Sequence, residues 1–338
     1  MDGMLATCQL GYERHLAGEL AGVGYDLREQ GAGWVLCSRE TDRDPPDLAF
    51  AHLVLPVPHE LRAGTINTLV QQAVGFFAES LREERLEAAW PCVWGGSAGT
   101  IGLSRRVIAG EKTFYDRLRR RFSRVARLAL SGTPRGVGPV RGLFVFFTDF
   151  DRAFAARTAV LGGQRRMADH AAAPSRSYLK VEEAYSVLGV EPRPGETVAD
   201  LGAAPGGWSY SAARRGAQVI AVDHGPLKGG ALGHPRIRHR REDAFRFRPA
   251  AGEVFDWLFC DLVEEPHHVL RHLVHPWLKH RWCRRFVVNL KFGRADPLAL
   301  LGELRDPASP FATHAAAFRI RHLYHDREEF TVVGEARL

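Results

Sequence analysis

Apolar and polar positions divide the chain into two halves with different rhythms. In the first, a strand pattern over MLATCQL passes into a helical one over YERHLAGELAG and returns to a strand over GWVLCSR, before TDRDPPD breaks the run. A second unit opens on LAFAHLVLPVP. It continues through a predicted helix, INTLVQQAVGFFAESLREERL, and a short strand near PCVWGG. From Glu111 to Leu130 a further helix is expected, with Phe114, Leu118, Phe122 and Val125 at helical spacing. RGLFVFFTDF reads as a buried strand and DRAFAARTAV as its partner.

Residues 161–175, rich in Gly and Ala, predict a linker. Beyond Ser177 strands alternate with helices: ETVADLG, AQVIAVD, RIRHRRED, FDWLFCD, RRFVVNLKF, FRIRHLYH and FTVVGE. That alternation predicts an α/β fold with a doubly wound, mostly parallel sheet, preceded by a smaller α+β region. The expected domains are 1–55, 56–160 and 176–338, with 161–175 between the last two.

A length of 338 residues, 45% hydrophobic and 25% charged, suits two globular domains and excludes a disordered chain, a collagen or a rod. The five cysteines form no CxxC pair, so neither a zinc site nor a disulfide framework is expected and a reducing, cytoplasmic setting fits. No secretory signal, membrane span or metal site is expected. Charge is uneven: residues 101–180 carry 17 bases against 5 acids, including Arg117, Arg119, Arg120, Arg121, Arg124 and Arg127 on the helix after Glu111. Such a patch suits a polyanion, although a solvated helix face is the blander alternative. Only five of the 46 basic residues are lysines (Lys112, Lys180, Lys228, Lys279 and Lys291), and lysine is the base whose proton can be lost when its surroundings demand it.

The strongest chemical signal is VADLGAAPGGW, residues 198–208, where an apolar strand runs into a glycine turn at Gly202 with a helix expected from about Trp208. Glycine lets backbone approach a ligand at the carboxyl end of a strand. The spacing is not GxGxxG, which argues against a dinucleotide and a nicotinamide oxidoreductase. It suits the loop by which S-adenosylmethionine (SAM) methyltransferases hold their cofactor. Three later strand ends carry acids: Asp223, placed to accept from ribose hydroxyls, Asp243, near an adenine amino group, and Asp261, beside the reacting end. Each alone reads as a turn or cap residue. Together, in register with the glycine turn, they read as a site.

Asp261-Leu-Val-Glu-Glu-Pro266 lacks the Asn/Asp-Pro-Pro-aromatic motif of amino-group methylation. Cys260 alternates away from Asp261 and reads as a small buried hydrophobe rather than a nucleophile. An oxygen nucleophile remains. Lys291 ends VVNLK at the rim of Asp261, Lys180 begins the helix entering this domain, and Glu329 enters the last strand. A ribose hydroxyl needs a base, and a lysine crowded by a second cation can have its pKa lowered enough to serve. The alternative for Lys291 is a snorkelling or ion-paired strand-end lysine.

The segments SRSYLKVEEA, DLGAAPGGW, VDHGP, REDAFRFRP, CDLVEEP, WCRRFVVNLK and LYHDREEFTV resemble the bacterial 23S ribosomal RNA cytidine 2′-O-ribose methyltransferases. These belong to the FtsJ- and fibrillarin-like class with a Lys-Asp-Lys-Glu tetrad. The resemblance covers residues 174–338, with a weaker match at LGYERHLAGEL and FVFFTDF. It implies a Rossmann-like SAM methyltransferase domain preceded by a ferredoxin-like segment and a THUMP RNA-binding domain. It implies Lys180, Asp261, Lys291 and Glu329 as the tetrad, Lys291 being the proton acceptor, with Glu328 as the alternative fourth member. It further implies SAM contacts from Ser177, Gly202, Ala204, Pro205, Gly206, Gly207, Trp208, Asp223, Asp243 and Asp261. Ala204 departs from the cysteine common in relatives, which a backbone contact tolerates. The implied partner is 23S RNA, naked or in a precursor particle, with a monomer as default. Another RNA such as tRNA, or a silent RNA-binding assembly factor with this fold, are the alternatives.

Overall fold

The computed structural model describes residues 3–38, 44–82 and 84–337, so Arg39 of the first predicted strand pair, residues 41–43 of the TDRDPPD break and Glu83 of the second helix lie outside the described residues. The chain forms two compact units, Met1–Gly162 and Gly163–Leu338.

The first unit contains β1 (Gly3–Thr7), α1 (Glu13–Gly22), β2 (Asp26–Gly31), β3 (Trp34–Ser38), β4 (Leu53–Leu55), β5 (His59–Arg62), α2 (Ile66–Ser80), β6 (Trp90–Gly96), α3 (Leu103–Arg121), α4 (Ser123–Leu128), β7 (Ala129–Ser131), β8 (Gly138–Phe147) and β9 (Arg152–Leu161). Among the described residues one nine-stranded sheet runs β2-β3-β1-β4-β9-β8-β6-β7, with β5 also on β9. A single sheet therefore spans both 1–55 and 56–160. The apolar run of β8 is explained by cover on both faces. Leu143, Val145 and Phe147 pack with Val70, Phe77, Phe114 and Leu118 of α2 and α3. Phe144 and Phe146 pack on the other face with Leu5, Trp34 and Phe154.

Three sequence expectations need correction here. The helix expected from Glu111 to Leu130 starts at Leu103, breaks at Phe122 and ends at Leu128, after which Ala129–Ser131 pairs with β6. Its first two turns were hidden by Gly110, which is small because a Cβ there would come within 3.0 Å of Ile66 and 3.1 Å of Trp94. The helix expected to reach Leu86 ends at Ser80. Strands β2 (DLREQG) and β5 (HELR) were not anticipated, being polar and largely exposed, with no apolar alternation to announce them.

The second unit contains α5 (Tyr178–Leu188), β10 (Thr197–Leu201), α6 (Gly207–Arg214), β11 (Gln218–Val222), β12 (Ile237–Arg240), β13 (Phe255–Cys260), α7 (Pro266–Val269), α8 (His275–Lys279), β14 (Cys283–Lys291), α9 (Pro297–Arg305), α10 (Pro310–His314), β15 (Ala315–Arg321) and β16 (Glu329–Ala336). Its sheet runs β12-β11-β10-β13-β14-β16-β15. The first five strands are parallel, and β16 lies antiparallel to both β14 and β15. This is the doubly wound α/β sheet, with strand order reversing between β10 and β13. Residues 163–175 have no regular element yet are tied into this unit. Arg165 N–H donates to Glu183, Met167 N–H to His325 Nε2, and Gly230 N–H to the Ala172 carbonyl.

Candidate active site

Where the strand order reverses, the carboxyl ends of β10 and β13 open a crevice, the place at which such sheets take ligands. Asp261 follows β13 directly and Lys291 is the last residue of the neighbouring β14. Alternate residues of a strand share a face, so Asn289 and Lys291 point the same way. Across the antiparallel pair their partners on β16 are Thr331 and Glu329. Lys180 reaches the same point from the first turn of α5, which packs on β16.

The result is a closed set of charges. Lys291 Nζ donates to Asp261 Oδ1, Glu329 Oε2 and Asn289 Oδ1, each at 2.5 Å. Lys180 Nζ lies 2.6 Å from Glu329 Oε1 and 3.7 Å from Asp261 Oδ1. The side chains of Lys180, Asp261, Lys291 and Glu329 are 12%, 14%, 21% and 5% exposed, so Lys291 is the one most open to an incoming group. Asp261 Oδ2 accepts from the Ser177 hydroxyl. The Trp208 indole donates to the Ser177 carbonyl at 2.9 Å and lies 3.1 Å from its hydroxyl, so buried Trp208 positions Ser177. Glu328 is exposed and only its carbonyl takes part, accepting from Phe292 N–H, so Glu329 is the glutamate in the cluster.

The electrostatics of the cluster overturn one expectation. A second ammonium was expected to lower the pKa of Lys291. Burial does push the Lys291 ammonium down, but Asp261 and Glu329 outweigh it and hold it well above its ordinary value. Burial likewise pushes Glu329 up, and Lys291 and Lys180 outweigh that and hold it below the usual carboxylate range. The distances decide the outcome: both carboxylates touch Lys291, whereas Lys180 acts mainly through Glu329.

The glycine turn is shaped by its protein neighbours. Gly202 and Gly206 have φ of 81° and 105°, which favours glycine. A Cβ at Gly202 would lie 2.6 Å from Leu262, and one at Gly206 would lie 2.5 Å from the Ala231 Cβ. Their smallness is required by protein packing and backbone shape. Ala204 and Pro205 are joined by a cis peptide bond, and Gly207 begins α6. Asp223 ties two turns together by accepting from Ala204 N–H at 3.0 Å and Gly225 N–H at 2.7 Å. Asp243 accepts from Phe245 N–H at 2.8 Å in a turn of its own after β12.

Several groups at this rim gave no clear signal in the sequence. Asp200 on β10 accepts from the Ser209 hydroxyl at 2.6 Å and so anchors α6 to the sheet, and burial pushes its carboxyl up to about 7. Glu183 accepts from the backbone N–H groups of Tyr324 and His325 as well as Arg165, holding the turn that leads to Glu329. Asn289, Asp326 and Thr331 form a buried network behind Lys291. A polar residue two positions from Lys291 inside the apolar strand FVVNLK was the available clue to Asn289. Cys260 is fully buried, with its thiol pushed up to about 12 by burial, as a packing residue would be.

Whether SAM suits the crevice can be judged from the groups it would meet. The Ser175 hydroxyl is buried beside Gly207 without a hydrogen-bond partner. The N-cap residue of α6 is Gly206, which has no side chain to offer the helix amides, and Asp200 accepts the Ser209 N–H from the sheet. Both Asp223 oxygens already accept one backbone N–H and retain capacity for another donor. An unpaired hydroxyl, a helix start whose N-cap residue has no side chain and a half-free carboxylate fit a ligand with amino-acid and ribose ends.

In the first unit, Arg119, Arg120, Arg121, Arg124 and Arg127 of α3 and α4 are exposed, Arg117 is half-buried and Arg105 is exposed as well, and none of the six exposed arginines forms an ion pair among the described residues. The arginines of β8 and β9 are spent internally. Arg141 and Arg157 share Glu84, and Arg152 pairs with Glu29 and Glu60.

Residues 173–285 match the FtsJ-like methyltransferase family, which makes the protein a SAM-dependent methyltransferase. The chain is 36% identical to the ribosomal RNA large subunit methyltransferase M of Halorhodospira halophila, over 98% of this chain and 96% of that one. It is 34% identical to the protein of the same name from Laribacter hongkongensis, over 95% and 93% of the two chains. The chain belongs to the ribosomal RNA large subunit methyltransferase M family.

Proposed function

We propose that the enzyme transfers the methyl group of SAM to the 2′-hydroxyl of a cytidine in 23S ribosomal RNA, with Lys291 as proton acceptor. The observation that supports this reading best is the Lys291 amine, held by Asp261 and Glu329 at the carboxyl rim of the sheet. Once neutral, Lys291 takes the 2′-hydroxyl proton on Nζ while Asp261 and Glu329 keep its two remaining hydrogens and fix its lone pair. SAM, when bound, would supply a methyl group activated by its sulfonium for the deprotonated ribose oxygen. Lys180 balances the charge of Glu329, and Ser177 orients Asp261. Alignment of oxygen, methyl and sulfur carries much of the rate.

Ser177, the 204–207 turn, Asp223, Asp243 and Asp261 are assigned to SAM, and the arginines of α3 and α4 to RNA phosphates, which position the RNA without reading its sequence. In this reading residues 56–160 act as a THUMP-like RNA-binding region after a ferredoxin-like segment. The enzyme works in the cytoplasm as a monomer, in keeping with five buried free cysteines. The test is transfer of labelled methyl from SAM to unmodified 23S RNA, followed by nucleoside mass spectrometry. A 2′-O-methylcytidine product that disappears in Lys291→Ala, with SAM binding intact, is the expected result. Product from that variant at the wild-type rate would refute the assignment.

A further inference from the structure

Lys291 makes three hydrogen bonds, and the third acceptor is uncharged. Asn289 Oδ1 accepts from Nζ at 2.5 Å, the same distance as the two carboxylates. Which end of an amide faces the lysine is fixed from behind. Asn289 Nδ2 donates to Asp326 Oδ1 at 3.2 Å and to Thr331 Oγ1 at 3.0 Å. The Thr331 hydroxyl is itself within 3.0–3.1 Å of both Asp326 oxygens, and Asp326 Oδ2 accepts from Leu323 N–H at 2.9 Å. Asn289, Asp326 and Thr331 are buried, so each of these bonds is made in a low-dielectric interior where an unmade one is costly.

We propose that Asn289 is a positioning residue of this reaction: its amide, locked by Asp326 and Thr331, holds the Lys291 ammonium in place beside Asp261 and Glu329 and releases it on deprotonation, without adding a third negative charge. The proposal rests on Lys291 being the proton acceptor. An ammonium with three acceptors has every hydrogen engaged. A neutral amine keeps two hydrogens, and the carboxylates of Asp261 and Glu329 hold those more strongly than an amide does. The acceptor released is Asn289: the lone pair is left on the Asn289 side of Nζ, and the amine has only a neutral contact to leave when the substrate hydroxyl takes that place. A third carboxylate at this position would keep the amine charged instead. The ionisable groups around Lys291 are Asp261 and Cys260 from β13 and its end, Glu329 from β16, Asp326 from the turn before it, and Lys180 from α5.

The experiment follows kcat against pH at saturating SAM and 23S RNA for wild type, Asn289→Leu, Asn289→Asp and Thr331→Val, with KM for both substrates and melting temperature recorded. Asn289→Leu removes an acceptor that favours the charged amine, so the rising limb should move down by about half a pH unit and the plateau fall about tenfold. Asn289→Asp should move the limb up by about one unit, with buried Asp326 keeping the proton its new neighbour demands. Thr331→Val, nearly isosteric, loosens the lock only. It should lower kcat about threefold with the limb in place, and it serves if either Asn289 variant fails to fold. Limbs of the Asn289 variants that coincide with the wild type's, a Thr331→Val kcat equal to the wild type's, or a loss confined to KM or melting temperature, would leave Asn289 a structural residue and overturn the inference. Absence of 2′-O-methylcytidine from the wild-type reaction itself would instead fail the parent reading, so the two failures are told apart.

Discussion

Four charges around Lys291 and six arginines on α3 and α4 solve opposite electrostatic problems. The tetrad is mostly buried, balanced, and paired within 2.6 Å along the chain Lys180–Glu329–Lys291–Asp261. The arginines are exposed and carry no ion pair among the described residues. Burial with excellent geometry makes a charge directional and little screened, which suits moving one proton. Exposure leaves a charge strongly screened and free to exchange counterions, which suits holding a polyanion without choosing its sequence. The same contrast exists within arginine alone: Arg141, Arg152 and Arg157 are paired with Glu84, Glu29 and Glu60.

The comparison breaks most directly at Lys291. Lys291→Ala should cost a factor of about 10²–10⁴ in kcat, the range of a general base, with RNA affinity unchanged. A variant with normal kcat and weakened RNA binding would place Lys291 with the arginines instead.

A second consequence follows from the raised pKa of Lys291. Only the neutral amine accepts a proton, so kcat/KM should climb about tenfold per pH unit from 7 to 9. A pH–rate profile flat over that range would contradict the base assignment. The sign for stability is the reverse. With its folded value above the ordinary 10.5, Lys291 contributes stability that is fully present below pH 10.5 and is lost only as pH rises through the folded value. Stability from this group is therefore intact throughout the range in which activity rises.

Legibility in the sequence followed the same division. Lys180, Asp261, Lys291 and Glu329 could be picked out because each ends or begins an element with a clear apolar period, and strand order then brings the ends together. The six arginines were legible as a local excess of charge, although the sequence could not say which bases were already paired. The direction of the Lys291 shift was not legible, because it depends on which partners sit at 2.5 Å and which at 3.7 Å. Asn289 was hidden for a related reason: its lock, Asp326, is 37 residues away and meets it only when β14 and β16 pair. The polar strands β2 and β5 left no period at all, and α3 was truncated by a glycine that helix packing requires.

The arginine side of the comparison yields the smallest effect and the sharpest control. In Arg119→Ala/Arg120→Ala/Arg124→Ala, three exposed charges are lost and no ion pair is broken among the described residues. Surface changes of this kind usually move stability by no more than about 0.5 kcal/mol each, so melting should stay close to wild type. If each arginine neutralises one phosphate, the slope of log affinity against log salt should flatten by about 2 to 3, at roughly 0.7–0.9 per contact. Affinity near physiological salt should fall about tenfold, and kcat at saturating RNA should hold, because the tetrad is assembled by its own unit of the chain. Filter binding across a salt series and single-turnover methylation at saturating RNA read the two quantities separately. A triple variant with the wild-type salt slope would return these arginines to the status of a solvated helix face. One with an unchanged KM and a reduced kcat would mean that α3 and α4 act on the chemistry, and the division between holding and reacting would fail.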